Sequence, residues 1–309
     1  MSIGGLPGTP LERSELAFDL GEAYLRQGEY QQAAALFEEA LALKNELGDR
    51  QGVADALHKL ATLSQAMGDW ARARELFEQS LAIREELGDR DGVAQTLHGL
   101  GVLSQVMGNY ARARELFERS LVIKEEFGDK HGVAQTLHQL GILAQQTGDY
   151  ERARSLFEQS LAVKEVFGDK QGIARTLHNL GMIAQETGDY ARAREFFERS
   201  LAIKEELGDK QGEAETFHQL GILAQQTGDY KHARSLFEQS LAIRENLGDQ
   251  YGMALGYAQL ALLEEAMGDL QRALDLTNRA EMIFARLGSP YAELARTQRE
   301  RIEGKLAHI

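Results

Sequence analysis

The sequence of 309 residues contains no cysteine and only three prolines. The lack of cysteine excludes disulfides, thiolate nucleophiles and cysteine metal sites, and it is compatible with a reducing compartment. Proline, Val, Ile and Thr are scarce, whereas Ala, Leu, Glu, Arg and Gln are abundant, and this balance favours helix nearly throughout. We therefore expect an all-α protein.

The sequence also lacks a targeting segment and a long apolar run. Residues 1–8 have neither a basic start nor an apolar stretch. No segment approaches the roughly 20 apolar residues that a membrane span needs. These absences predict a cytoplasmic protein with no membrane partner.

Positive charge is in deficit, with 34 Lys and Arg against 48 Asp and Glu and a formal net charge of −14. This balance repels phosphate backbones and anionic lipid surfaces, so a nucleic-acid partner is not expected. Basic residues alternate with glutamates, as in residues 72–75 and 124–126. We interpret these runs as solvated helix faces.

An internal repeat organises the chain. Laid out in rows of 40, the sequence aligns without insertion or deletion from Leu11 to about Pro290. We expect residues 1–10 to be an N-terminal extension and residues 291–309 a C-terminal capping helix. The seven repeats are 11–50, 51–90, 91–130, 131–170, 171–210, 211–250 and 251–290.

Each of the five repeats from 51 to 250 contains a Gly followed by Asp or Asn twice, as at Gly68 and Gly88. Glycine can adopt the left-handed conformation that ends a helix, and the next Asp or Asn can cap the following helix. This pattern predicts two helices of about 17 residues per repeat. Thr9 to Glu12 has the pattern of a capping box with proline at the first helical position.

The predicted helices carry apolar stripes. Ala113, Phe117, Ser120 and Leu121 have the spacing of one buried face on a second helix. Gly101 on the preceding helix is small, which would let two backbones approach while Phe117 fills the space between them. One hairpin cannot bury such a stripe alone, so neighbouring hairpins must stack.

These spacings resemble the tetratricopeptide repeat. In the third repeat the matching residues are Leu97, Leu100, Gly101, Gly108, Asn109, Tyr110, Ala113 and Phe117. The 40-residue period exceeds the usual length of about 34 residues. In this longer period the chain resembles the repeat arrays of Pins-type spindle adaptors, kinesin light chains and bacterial peptide-sensing regulators. The resemblance implies a right-handed superhelical solenoid of antiparallel helical hairpins, whose first helices line a concave groove that binds peptides.

The resemblance also implies which residues face that groove: a histidine ladder, a glutamine ladder, an apolar strip and three polar residues nearer the helix starts. They are His58, His98, His138, His178 and His218; Gln65, Gln105, Gln145, Gln185 and Gln225; Val102, Ile142, Met182 and Ile222; and Gln95, Gln135 and Arg175.

Two interpretations of these ladders stay open. The histidines either contact a ligand or are duplicated copies that pack against the next hairpin. The glutamines either contact a ligand or are solvated or hydrogen-bonded between repeats. If His98, His138 and His178 are solvated, they should charge near pH 6.5. A metal site is not expected, because hairpins about 8–10 Å apart cannot bring their histidines to one ion.

No catalytic motif accompanies the repeats. Glu264 and Glu265 are adjacent carboxylates, but neighbouring helical residues point about 100° apart and do not form an acid–base pair. We expect a non-catalytic scaffold, not an enzyme, that needs no cofactor or metal and binds a protein or peptide. Two alternatives remain: a peptide-sensing module of a larger regulator, and a scaffold that self-assembles end to end. A monomer with at most weak end-to-end association is expected.

Overall fold

The computed structural model describes residues 8–308, and all regular structure in that range is helical. The all-α prediction is therefore confirmed for the described chain. The helices are α1 (Pro10–Arg26), α2 (Tyr30–Leu47), α3 (Arg50–Ala66), α4 (Trp70–Leu87), α5 (Arg90–Val106), α6 (Tyr110–Phe127), α7 (Lys130–Gln146), α8 (Tyr150–Phe167), α9 (Lys170–Glu186), α10 (Tyr190–Leu207), α11 (Lys210–Gln226), α12 (Tyr230–Leu247), α13 (Gln250–Met267), α14 (Leu270–Arg286) and α15 (Tyr291–Leu306).

The helix boundaries follow the Gly-Asp pattern. Gly88 ends α4 with a φ of 70°, in the left-handed region that glycine tolerates without a Cβ penalty. The side chain of Asp89 then accepts a hydrogen bond from the Gly92 amide at 3.0 Å and caps α5. At the start of the described chain, Thr9 and Glu12 form the predicted capping box of α1.

The described chain divides into two compact units between Val163 and Lys164. In the first unit, odd-numbered first helices pack against even-numbered second helices, and Phe117 is fully buried in the α5–α6 hairpin. A Cβ on Gly101 would lie 2.6 Å from the Phe117 ring, so glycine is required for this close approach. Of the predicted stripe, Ala113, Phe117 and Ser120 are buried, whereas Leu121 is half-buried.

The second unit repeats this packing through α12 and changes at its end. Phe237 lies against Gly221, but the same positions in the last hairpin hold the smaller Thr277 and the larger Ala261. Both of these residues are fully buried. The α15 helix packs on α14 and buries Ile302.

The expectation that the charge runs are solvated holds for the charged residues of 72–75 but is wrong for one member of the run 124–126. Arg72 and Arg74 are exposed as expected. Lys124 is 5% exposed and lies at the seam between the third and fourth repeats. It follows the buried Ser120 by one turn, so the buried stripe extends to position 124, where a long side chain carries its ammonium group into the seam.

Candidate functional site

A pocket of about 440 Å³ lies between the first helices α3 and α5 in the first unit. Phe77 of α4 forms part of its wall. Apolar side chains share the lining with amide and imidazole groups. The lining residues are His58, Thr62, Gln65, Ala66, Phe77, Gln95, His98, Gly99, Val102 and Val106.

Gly99 lets the Phe77 ring approach the α5 backbone at the wall of this pocket. A Cβ at this position would lie 2.7 Å from Phe77 Cε1, which is closer than a real Cβ approaches a neighbour. The other repeats place longer side chains at this position. Those side chains are Asp19, Lys59, Gln139, Asn179, Gln219 and Gln259.

The histidines of the ladder are half-buried and pack within the repeats. The His58 ring lies 5.2 Å from the Phe77 ring in an edge-on arrangement, and the other four histidines lie 5.3–5.4 Å from a second-helix phenylalanine. His98 Nδ1 lies 3.3 Å from Thr136 Oγ1 of the next repeat. The histidines therefore have a packing role, and one edge of His58 and of His98 lines the pocket.

The condition under which the histidines would charge near pH 6.5, that they are solvated, is not met by His98 and His178. Burial, with a smaller contribution from the Lys124 ammonium, lowers the pKa of His98 to about 4. Burial beside Lys204 likewise lowers the pKa of His178 to about 4. These imidazoles are neutral at physiological pH.

The glutamines of the second ladder differ in their partners. Gln105 donates to Gln146 at 2.9 Å, and Gln185 donates to Gln226 at 3.0 Å, in both cases across a seam between repeats. The residue that corresponds to Gln146 for Gln65 is Val106, which has no polar side-chain atom. The Gln65 amide therefore cannot make this bond, and it lines the pocket.

Five of the residues assigned to the groove come together in this pocket: His58, Gln65, Gln95, His98 and Val102. The others lie outside it, on α5, α7, α9 and α11. Gln135 and Arg175 are exposed, and the remaining ones are half-buried. These remaining residues are Gln105, His138, Ile142, Gln145, His178, Met182, Gln185, His218, Ile222 and Gln225.

Gly99 is the residue of this site that the sequence interpretation missed. The repeat alignment contains the signal, because Gly99 is the sole glycine in a column of long side chains. Averaging over repeats hides such a position, since the pattern shows what repeats share and a pocket depends on where one of them differs.

Other chemistry suggested by the sequence has a packing explanation. Glu264 is fully buried and pairs with Arg234 and with Arg272, whose Nε lies 3.3 Å from Glu264 Oε1. Glu265 pairs with Arg301 at 2.6 Å. The two carboxylates thus have separate arginine partners.

Among residues 8–308, no group of three His, Asp or Glu side chains is placed so that it could hold a metal ion. Within the same range, no helix combines the length and the apolar character needed to cross a membrane.

The stacked hairpins, with their glycine turns and buried phenylalanines, define a helical-repeat protein. The tetratricopeptide repeat family model matches residues 12–86, 52–121, 92–165 and 172–246. The chain belongs to the tetratricopeptide repeat family. No match was found among the curated proteins.

Solved structures share the fold at low sequence identity. BtubC (BKLC) from P. vanneervenii is 23% identical, with a TM-score of 0.61, over 78% of this chain and 93% of its own. A Rap protein complexed with competence and sporulation factor is 17% identical, with a TM-score of 0.64, over 98% of this chain and 78% of its own. Aspartyl phosphate phosphatase F from Bacillus subtilis is 17% identical, with a TM-score of 0.68, over 89% of this chain and 70% of its own.

Proposed function

We propose that this chain is a non-catalytic scaffold that binds an extended peptide along its first helices, with one apolar side chain of the peptide in the α3–α5 pocket. The pocket formed at Gly99 is the observation that carries the proposal. Its volume of about 440 Å³ lies within the roughly 300–1,000 Å³ of ligand pockets. The Rap protein complexed with competence and sporulation factor provides support from the same fold.

The chemistry of the lining specifies the peptide. Phe77, Val102 and Val106 provide an apolar wall, and the imidazole of His58 is neutral because burial lowers its pKa to about 3. The Gln65 amide can donate to and accept from a peptide backbone. We therefore expect an uncharged aliphatic or aromatic anchor flanked by backbone hydrogen bonds, and no requirement for charge.

The test starts from peptides selected on the immobilised chain from a random display library and then measured by fluorescence anisotropy. Val106→Gln adds a polar side chain at the pocket wall and supplies the acceptor that Gln146 provides to Gln105. We expect the new glutamine to hydrogen-bond with Gln65 and to lower the affinity for the selected peptides about tenfold, the equivalent of one apolar contact.

A matched control exists on α6. Val106 and Val122 are both 53% exposed, but Val122 lies outside the pocket. Val122→Gln should leave affinity unchanged, and circular dichroism should show the same helix content for both variants. Equal affinity of both variants would place the peptide elsewhere, and failure to select any peptide would contradict the scaffold proposal.

The neutral histidines lead to a separate prediction about pH. His58 and His98 line the pocket, and burial lowers their pKa values to about 3 and about 4. Both should stay uncharged between about pH 7.5 and about pH 6. The affinities of an acidic and a basic version of the selected peptide should therefore each change less than about twofold over this range. Fluorescence anisotropy measures both. Opposite shifts for the two peptides would show that the histidines charge.

A further inference from the structure

Buried cations line the seams between repeats. Arg84, Lys124, Lys164 and Lys204 are each at most 5% exposed. Each donates to a threonine hydroxyl of the following repeat, at 2.9, 3.1, 2.9 and 2.9 Å in that order. Those threonines are Thr96, Thr136, Thr176 and Thr216. The hydroxyl also faces a ladder histidine, as Thr216 does His178 at 3.5 Å. A threonine thus satisfies two buried polar groups at a seam.

The seam between the sixth and seventh repeats lacks this hydroxyl, because Gly256 occupies the position of the threonine. Arg244 is 8% exposed there, and its Nε is buried without a hydrogen-bond partner. Its guanidinium makes no hydrogen bond or ion pair with any of residues 8–308. His218 Nδ1 is buried without a partner as well.

A buried donor without an acceptor is costly, and the Nε–H of Arg244 has lost water without gaining a hydrogen bond. Arg84 also has a buried Nε without a hydrogen-bond partner, but its two Nη atoms are bonded. Its Nη1 donates to Gly92 O at 2.6 Å, and its Nη2 donates to Asp55 Oδ1 at 2.6 Å. The guanidinium of Arg244 lacks the acceptors that Arg84 has.

Arg244 lines a cavity of about 610 Å³ bounded by α11, α12 and α13. Leu247, Tyr251 and Leu255 give this cavity an apolar wall. Tyr251 and Leu255 replace Gln211 and Glu215 of the preceding repeat, so the wall is particular to this seam. The cavity therefore combines an unsatisfied cation with an apolar surface.

We propose that this cavity binds a ligand with a carboxylate on an apolar body, the carboxylate pairing with Arg244 and the apolar part lying against Tyr251 and Leu255. A planar carboxylate can accept two parallel hydrogen bonds from a guanidinium. The proposal does not depend on peptide binding in the α3–α5 pocket, since the two cavities share no residue.

Two carboxylates of the protein also line the cavity and oppose an anion. Asp249 Oδ1 accepts from the Gly252 amide at 2.9 Å, while its Oδ2 adjoins Arg244 Nη1, since both atoms lie against the position that a Cβ on Gly252 would take. Glu215 is held by a long contact with Gln211 Nε2 at 3.5 Å. Glu215→Gln should therefore tighten an added carboxylate, because it removes a negative charge and leaves Arg244 in place.

The experiment uses the whole chain and follows the Arg244 Nε–Hε signal and the Gly252 amide by NMR. Phenylacetate is the small-acid probe, acetyl-Phe-Glu-amide presents the same group as a peptide side chain, and phenylacetamide is the neutral control. Saturable chemical-shift changes with phenylacetate, together with an affinity about tenfold lower for phenylacetamide, support the proposal. Binding of one acid and not the other identifies a small molecule or an acidic peptide as the source.

The repeat itself supplies the matched variant. A Cβ at Gly256 would meet Leu241 Cδ1 at 3.3 Å, the end of a flexible side chain, so Gly256→Thr should be accommodated. The new hydroxyl should pair with Arg244 and His218 and raise the melting temperature. It should also lower the affinity for phenylacetate about tenfold. If neither acid binds the wild type or Glu215→Gln, or if phenylacetamide binds as tightly as phenylacetate, the proposal is overturned.

Discussion

Phe117→Ala is expected to destabilise the α5–α6 hairpin by about 3–5 kcal/mol, as large-to-small core substitutions do. The ring is fully buried and fills the space left by Gly101. Each hairpin packs mainly on its neighbours, so hydrogen exchange should accelerate most in α5 and α6, less in α4 and α7, and least in more distant helices of the first unit. Val122→Ala, at an exposed position of the same helix, is the control.

The contact with Gly101 makes the result specific. Gly101→Ala alone should be destabilising, because its Cβ would lie 2.6 Å from the ring. In the Phe117→Ala background that clash is absent, so the same change should cost less or even stabilise α5. A double-mutant cycle in urea should therefore show clear coupling. Additive effects, or a uniform loss of protection over the unit, would contradict this packing.

The fold could be predicted because its determinants recur. Glycine turns such as Gly88, caps such as Asp89 and the Gly101–Phe117 contact are local features that appear at a fixed spacing in almost every repeat. Local conformational preference and the packing of neighbours therefore agree, and no long-range pairing has to be inferred.

The candidate site was predicted only in part. The sequence pattern identified His58, Gln65, Gln95, His98 and Val102, which the structure brings to one pocket. It did not indicate the pocket itself, whose wall depends on the close approach of the Phe77 ring to Gly99 on another helix. Such an approach depends on three-dimensional packing.

The buried cations show a different limit. Lys124 follows the charged pattern of an exposed helix face, yet it is 5% exposed and donates to Thr136 at 3.1 Å. Whether a lysine is buried depends on an acceptor 12 residues away in the next repeat. Composition and periodicity contain no information on that pairing, so the seam could not be predicted from the helix alone.

The histidines of the seams should make the fold sensitive to acid. Burial lowers the pKa of His98 and of His178 to about 4, against the ordinary histidine value of 6.5. The unfolded chain then binds more protons than the folded chain between these values. Stability is therefore fully present above about pH 6.5 and is lost as the pH falls towards about pH 4. At about pH 5 the loss amounts to up to about 2 kcal/mol per histidine.

The double variant His98→Asn and His178→Asn tests this linkage, since an amide can still meet Thr136 and Thr216 but does not titrate. Urea unfolding at about pH 7.5 and about pH 5 should show that the wild type loses up to about 4 kcal/mol more than the variant. Carboxylates titrate in both proteins, so their contribution cancels in the difference. His232→Asn, at an exposed position, is the control and should follow the wild type. Equal acid sensitivity of wild type and double variant would show that the seam histidines are not held neutral by burial, and the pH-independent binding expected at the α3–α5 pocket would then lose its basis.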